Sequence, residues 1–193
     1  DQPLSLLEEI VTDEKDIFEK ISHHPYIRHI PVRLYEDAKI SLRSVYALDT
    51  RLKELLSPRV SMKSGAYLVI EPTEALVAVD VNSGKAAKKT EPEAFYFQTN
   101  LEAVKEVCYQ LSVRNLSGMI LVDFINMKDK QHTEMLIEAL KKETAKDSVP
   151  TRFVDLTRLG LAEITRKKTS RGLGYTLRDW NWKRGQHEIT GDS

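Results

Sequence analysis

Two aspartates carry the chemistry this sequence offers most directly. Asp80 stands near the end of Ala-Leu-Val-Ala-Val-Asp-Val-Asn (75–82), and Asp123 near the end of Gly-Met-Ile-Leu-Val-Asp-Phe (118–124). Period two in the first run puts Leu76, Ala78, Asp80 and Asn82 on one face and Val77, Val79 and Val81 on the other. Carboxylates at neighbouring strand ends, about 4.8 Å apart, repel unless a cation lies between them. Hard oxygen donors without His or Cys favour Mg²⁺ or Mn²⁺ over zinc. A Mg²⁺ on one or two carboxylates keeps several waters and commonly meets a phosphate. The same residues also read as strand-end aspartates that cap helices or terminate strands, and spacing alone does not separate the two readings.

The elements around the pair must bring it together. Both runs are apolar at nearly every position, as in strands buried on two faces. Between them, residues 93–116 read as a long helix. Thr99-Asn-Leu-Glu102 has the form of a capping box, and Leu101, Val104, Val107, Cys108 and Leu111 form an apolar stripe. A strand, a helix and a strand of this length predict a right-handed crossover joining parallel strands. Both aspartates then fall at carboxyl ends of strands, where open α/β sheets place ligands. The predicted fold class is α/β, a mixed sheet containing one βαβ crossover, preceded by a small α/β N-terminal part.

Four blocks in order carry a resemblance: Ala-Val-Asp-Val-Asn-Ser-Gly-Lys (78–85), Thr-Asn-Leu-Glu-Ala (99–103), Leu-Val-Asp-Phe-Ile-Asn-Met (121–127) and Leu-Thr-Arg-Leu-Gly-Leu-Ala-Glu-Ile-Thr-Arg-Lys (156–167). Together they resemble the ribonuclease E/G family. The likeness is strongest over 65–168, the family's DNase I-like subdomain, and weaker over 3–62. It implies an organisation of 1–62 as an RNase H-like remnant, 63–168 as the DNase I-like catalytic subdomain and 169–193 as a C-terminal tail. The family's metal-binding aspartates fall on Asp80 and Asp123, and its supporting asparagine on Asn82. The resemblance further implies a homodimer through the DNase I-like subdomain. The family's S1 domain and its sensor of RNA 5′ ends have no counterpart here. An arginine that relatives place before the third strand falls on Pro150, with Arg152 nearby, so preference for 5′-monophosphate RNA is expected to be weak.

Composition sets wider limits. The chain has 193 residues, 41% apolar and 30% charged, enough for one domain or one domain and a fragment. Lys and Arg total 29, as do Asp and Glu, so the whole molecule is not a basic nucleic-acid binder and local patches must serve. One cysteine excludes an internal disulfide, and Cys108 reads as a small core residue in a reducing compartment. No apolar run approaches membrane-span length and no signal peptide opens the chain, so a cytoplasmic location without a membrane partner is expected. The chain opens on Asp1 without a methionine, as an excised piece would.

Toward the N-terminus, residues 13–21 read as an amphipathic helix with Ile17, Phe18 and Ile21 inward, residues 30–35 as a strand, and 41–56 as a helix stopped at Ser57-Pro58. His23, His24 and His29 are spaced for a loop rather than a metal site. A hairpin is expected over 66–71 and 75–82. After Asp123, residues 127–146 read as a helix packed through Met135, Leu136, Ala139 and Leu140, with His132 in its first turns. Strands follow at 151–155 and 161–165, broken at Gly160.

Basic residues supply the remaining contacts. Gly84 permits a tight turn, and Lys85, Lys88 and Lys89 in the loop after it would lie near a phosphate backbone, or simply form a solvated basic loop. Arg158, Arg166, Lys167 and Lys168 make a second basic group, suited to a polyanion bridging it and the acidic centre, or else ordinary surface charge. In the tail, Trp180 and Trp182 with Arg178, Lys183 and Arg184 could stack on bases or pack as a short end. The tail lacks the cysteine pair through which relatives share zinc, so no zinc site is expected. The expected activity is that of an endoribonuclease cutting single-stranded RNA with Mg²⁺ on Asp80 and Asp123, oriented by Asn82. Lys85, Arg158 and Arg166 would hold the backbone. The alternative is an RNA-binding or self-associating module with little activity of its own.

Overall fold

The computed structural model describes residues 7–84 and 92–177. The chain divides into two compact units, Asp1–Leu55 and Leu56–Ser193. In the first, β1 (Ile10–Thr12) pairs in parallel with β2 (Val32–Leu34), beside α1 (Lys15–Ser22). Its interior is thin: among the described residues only Ile30 and Thr12 are fully buried, and Ile17 is exposed rather than inward. The helix expected over 41–56 is two, α2 (Leu42–Val45) and α3 (Leu48–Leu55). Ala47 separates them with φ of 48°, a left-handed conformation that ends a helix.

The second unit is built on a six-stranded mixed sheet. Its strands are β3 (Arg59–Ser61), β4 (Tyr67–Pro72), β5 (Val77–Asn82), β6 (Gly118–Asp123), β7 (Thr151–Leu156) and β8 (Leu161–Arg166). They lie in the order β3-β4-β5-β6-β8-β7. Only β5 and β6 run parallel, joined by α4 (Pro92–Val113), as the crossover reading requires. Residues 59–61, inside the 1–62 stretch of the sequence reading, thus pair into this sheet as β3. Strand alternation then sorts the side chains: Val77, Val79, Val81, Ile120, Val122 and Ile164 are buried in one core with Val104, Val107 and Leu111 of α4. Leu136 and Leu140 of α5 (Lys130–Thr144) join them, whereas Met135 is 51% exposed. The buried positions of α5 are Leu136, Leu140 and Thr144, a strict four-residue ridge one position away from Met135. The opposite face of the sheet is not buried throughout. Ala78 and Leu121 are half-buried and Met119 is 46% exposed, so the expectation of strands covered on both faces holds for one face only.

The start of α4 also differs from its sequence signature. The helix begins by Pro92, a residue suited to a first turn, so Thr99 and Glu102 lie in its interior rather than at a cap. Thr99 and Asn100 are fully buried.

Candidate metal and RNA site

Parallel pairing of β5 with β6 sets Asp80 directly opposite Asp123. Residues in direct register share a face, so both carboxylates project from the open face, and both are exposed. Asn82, two residues on, donates through Nδ2 to Asp80 Oδ2 at 2.7 Å. Neither aspartate takes part in an ion pair among the described residues. Like charges directly opposite are unfavourable, and nothing in the described chain neutralises these.

Several contacts fix the loops that flank the pair. Beyond Asp123, the Asn100 amide grips the backbone of Ile125 at both ends: Ile125 N–H donates to Asn100 Oδ1 at 3.0 Å, and Asn100 Nδ2 donates to Ile125 O at 2.8 Å. Well inside α4, Glu102 instead accepts from the backbone N–H groups of Lys63 and Ser64, at 2.7 and 3.3 Å. That holds the β3–β4 turn. Gly84 closes against the same turn with φ of 65°, and a Cβ there would meet Gly65 O at 2.5 Å, so no other residue fits without displacement. On the α5 side, the Glu93 carboxylate accepts from Lys128 and Asp129 N–H. Those N–H groups, Asp129 foremost, and His132 hold the Glu93 carboxyl below its ordinary range. His132 stacks on Phe97 with centroids 4.2 Å apart and planes 6° apart. It is therefore a strut between α4 and α5.

The donor set fits a hard divalent cation. Two carboxylates on adjacent strands offer charged oxygen ligands, and among the described residues no cation pairs with them. Among the described residues no group of three or more His, Cys, Asp and Glu is placed to hold a metal. Mg²⁺, which keeps several waters and needs only one or two carboxylates, is compatible with that.

Comparison with known proteins agrees with the geometry. Residues 4–169 match the model of the Ribonuclease E/G family. The chain belongs to that family. Ribonuclease G of Haemophilus influenzae is 38% identical over 135 residues, which cover 70% of this chain and 28% of that protein. Ribonuclease E of Nostoc sp. is 36% identical over 147 residues, covering 69% and 21%. Ribonuclease G of Escherichia coli is 35% identical over 133 residues, covering 69% and 27%. The chain thus spans less than a third of the length of these relatives.

Within this ribonuclease E/G chain the basic residues divide. Arg158 lies in the β7–β8 turn, which the register of Leu161 with Asp123 brings to the aspartate end of the sheet. Thr157 shapes that turn by accepting from Leu159 and Leu161 N–H, and Arg158 is exposed there. Arg166 and Lys167 are at the other end. Arg166 is opposite Gly118, the first residue of β6. Its side chain is 2% exposed and bonds Asp147 Oδ2 at 2.8 Å, Asn115 Oδ1 at 2.9 Å and Leu116 O at 3.1 Å. Arg166 is thus a structural cation, and its assignment to RNA contact is corrected. Lys167 goes with it, since alternation and strand length carry it away from the aspartates. Lys85, Lys88 and Lys89, and Trp180 and Trp182, lie outside the described residues.

The sequence reading passed over two residues beside the pair. Tyr67 is opposite Asn82, and Arg59 shares the sheet row of Asp80 through Val69. The Arg59 guanidinium stacks over the Tyr67 ring, 3.6 Å from its centroid. With Asn82, Ser83 and Gly84 they line a shallow hollow. No spacing rule links positions 59, 67 and 82. Only the strand order does.

Proposed function

We propose that this chain is the catalytic portion of an endoribonuclease that hydrolyses single-stranded RNA, with Mg²⁺ held by Asp80 and Asp123. The observation that carries this reading is the direct register of two exposed carboxylates, without an ion-pair partner among the described residues, in a ribonuclease E/G chain. Mg²⁺, when bound, would neutralise charge on the scissile phosphate and acidify a water; Mn²⁺ has the same donor preferences. Asp80 and Asp123 would hold the ion, and Asn82 orients the Asp80 carboxylate through its amide. Asn100 and Glu102 hold still the loops on either side, so the two strand ends keep their spacing. Arg158 is placed to meet a backbone phosphate on the β8 side, and Lys85, Lys88 and Lys89 are proposed to do so from the loop after Gly84. On the β4 side, the stacked Arg59–Tyr67 pair offers a flat surface to an unpaired base. Asp80 with Asn82, Asp123 and these cations complete the proposed site. Dimerisation through residues 63–168 and a cytoplasmic location are part of the same proposal. Among the described residues no helix is long and apolar enough to cross a membrane.

Cleavage of a fluorescent A/U-rich single-stranded RNA, followed with Mg²⁺ and with EDTA, tests the reading together with Mn²⁺ titration by electron paramagnetic resonance. Mg²⁺-dependent cutting and Mn²⁺ binding that Asp80→Asn and Asp123→Asn both abolish are expected. Cutting or Mn²⁺ binding that survives both substitutions overturns it, as does RNA binding without any cutting, which would make the chain an RNA-binding module.

A further inference from the structure

One row of residues crosses the sheet through the aspartate pair. Arg59 of β3 is opposite Val69, Val69 opposite Asp80, Asp80 opposite Asp123, and Asp123 opposite Leu161 of β8. The β7–β8 turn with Arg158 comes just before Leu161. From β3 to β8 the row covers four strand spacings of about 4.8 Å, roughly 19 Å in all.

The two ends of the row present different things. At β3, the Arg59 guanidinium covers the Tyr67 ring, 3.6 Å from its centroid. Arg59 is exposed and forms no ion pair among the described residues. The ring covers one face of the guanidinium, so its exposure falls on the other face and on the N–H edge. A planar cation backed by an aromatic ring takes an unstacked base on its free face, and its N–H edge takes phosphate oxygens. At β8, Arg158 is exposed, but Phe124 and Phe153 on the neighbouring strands are buried and closed to a base. Among the described residues that end offers charge to a phosphate and no stacking surface.

The next row closes the other path. Glu71, Ala78, Leu121 and Glu163 stand opposite one another, and Asp155 stands opposite Glu163. Ala78 and Leu121 are each two residues before an aspartate of the pair, so this row shares the open face. Glu71, Asp155 and Glu163 form no ion pair among the described residues. Among the described strand residues one cation, Arg152, lies farther down this face, opposite Thr165. A phosphate backbone laid along the strands would cross these carboxylates and be repelled. One laid along the aspartate row meets a cation at each end and the metal site between.

We propose that the RNA strand runs across the strand ends along this row, and that the site therefore selects its substrate asymmetrically. On the Arg59–Tyr67 side of the scissile phosphate the nucleotide must be unpaired, and on the Arg158 side pairing is tolerated. Stacking needs a base freed from its helix, whereas a phosphate contact is indifferent to the base. The substrate class is RNA whose single-stranded segment extends to one defined side of the cut, with duplex accepted on the other. The position of the scissile phosphate rests on the proposed endoribonuclease reading.

Two measurements on the full chain test this. In the first, Mg²⁺-dependent cleavage is followed on a fluorescent single-stranded RNA and on two versions with a complementary strand annealed up to the cut, from the 5′ side or from the 3′ side. One junction should be cut within about threefold of the unpaired RNA, and the other about tenfold to a hundredfold more slowly, the loss of one stacked base. Arg59→Met and Tyr67→Ala should slow the unpaired RNA and the accepted junction by that factor and the rejected junction hardly further. Arg158→Ala should slow all three alike. In the second, hairpins with a 5′ or a 3′ single-stranded overhang are bound in EDTA and read by fluorescence anisotropy. The unsubstituted chain should bind one overhang about tenfold more tightly, and Arg59→Met should erase the difference. Should Tyr67→Ala fail to fold, Arg59→Met, an exposed position on the edge strand, carries both measurements. Where the chain cuts, the cutting decides; where it does not, the overhangs decide. Equal rates on the two junctions, or an asymmetry that survives Arg59→Met, overturn this proposal and leave the endoribonuclease reading standing. No cutting, with the overhang preference present and lost in Arg59→Met, overturns that reading and leaves the asymmetry standing. No cutting and no such preference overturn both.

Discussion

At one end of the six-stranded sheet, Asp80 and Asp123 face the same way, exposed and paired with no cation among the described residues. At the other, Arg166 is buried against Asp147, with every part of its charge answered by the chain itself. The first arrangement works against folding, since like charges are held in direct register. The second ties β8 to the turn after α5 and to the start of β6. Charge that a fold neutralises internally is architecture. Charge that it leaves unanswered is where a ligand must act, and stability is often given up there for function.

The comparison can be broken most severely at the aspartates. Asp80→Asn or Asp123→Asn should lower cleavage by about 10³-fold or more, the several kcal/mol that a metal ion contributes, measured as initial rates on single-stranded RNA. Those substitutions should leave folding intact and, in EDTA, raise Tm by roughly 1–3 °C as the like-charge contact is removed. A fall in Tm would show the pair to be structural.

Arg166→Met should do the opposite. By leaving Asp147 buried without its partner it should cost about 3–5 kcal/mol of stability, read from urea denaturation. RNA affinity per folded molecule should not change. The Asp147 pair also has a pH signature. Burial raises the Asp147 carboxyl, but the Arg166 guanidinium, the Val149 N–H and the Thr151 hydroxyl more than offset this and hold it below its ordinary value. A carboxyl depressed in the folded state contributes stability that is complete above the unfolded value, near pH 4, and is lost as pH falls through the lower folded value. Asp147→Asn should therefore flatten the acid limb of the stability profile below about pH 4.

Smaller effects sharpen the boundary of the site. Asn82→Ala should reduce activity by about 10–100-fold, the usual cost of losing a group that orients a metal ligand, and raise the Mg²⁺ concentration needed for half-maximal rate. Tyr67→Ala should weaken RNA affinity by about 1–3 kcal/mol if a base stacks there. Least of all, Cys108 should resist alkylation. Burial, with the charges of Glu143 and Asp147, pushes its thiol up to about 12, so iodoacetamide at pH 8 should label it only after unfolding.

Much of this was legible in the residues. Alternation in 75–82 and 118–124, with a helical stripe between, suffices for parallel strands with aspartates at their ends, because strand and helix periods are local properties of the chain. The Thr99-Asn-Leu-Glu102 block was legible as important but not as what it is. A capping box and a pair of loop clamps use the same side-chain chemistry, and which backbone N–H groups lie within reach of Glu102 depends on a turn some forty residues earlier. The basic run ending in Lys168 was misread for a related reason. Reading Arg158, Arg166, Lys167 and Lys168 as one basic group put all four beside the acidic centre, yet a six-residue strand carries Arg166 to the opposite end of the sheet.

The sequence by itself determined the α/β class and the family, and singled out the two carboxylates with their asparagine as the candidate site. These follow from short-range periodicity and from blocks of contiguous residues. Only the tertiary structure decided which charges are answered and by what: Arg166 by Asp147, and Glu102 by the N–H groups of the β3–β4 turn. Coulombic and hydrogen-bond energies depend on separation in space over a few ångströms, and folding makes that separation independent of distance along the chain.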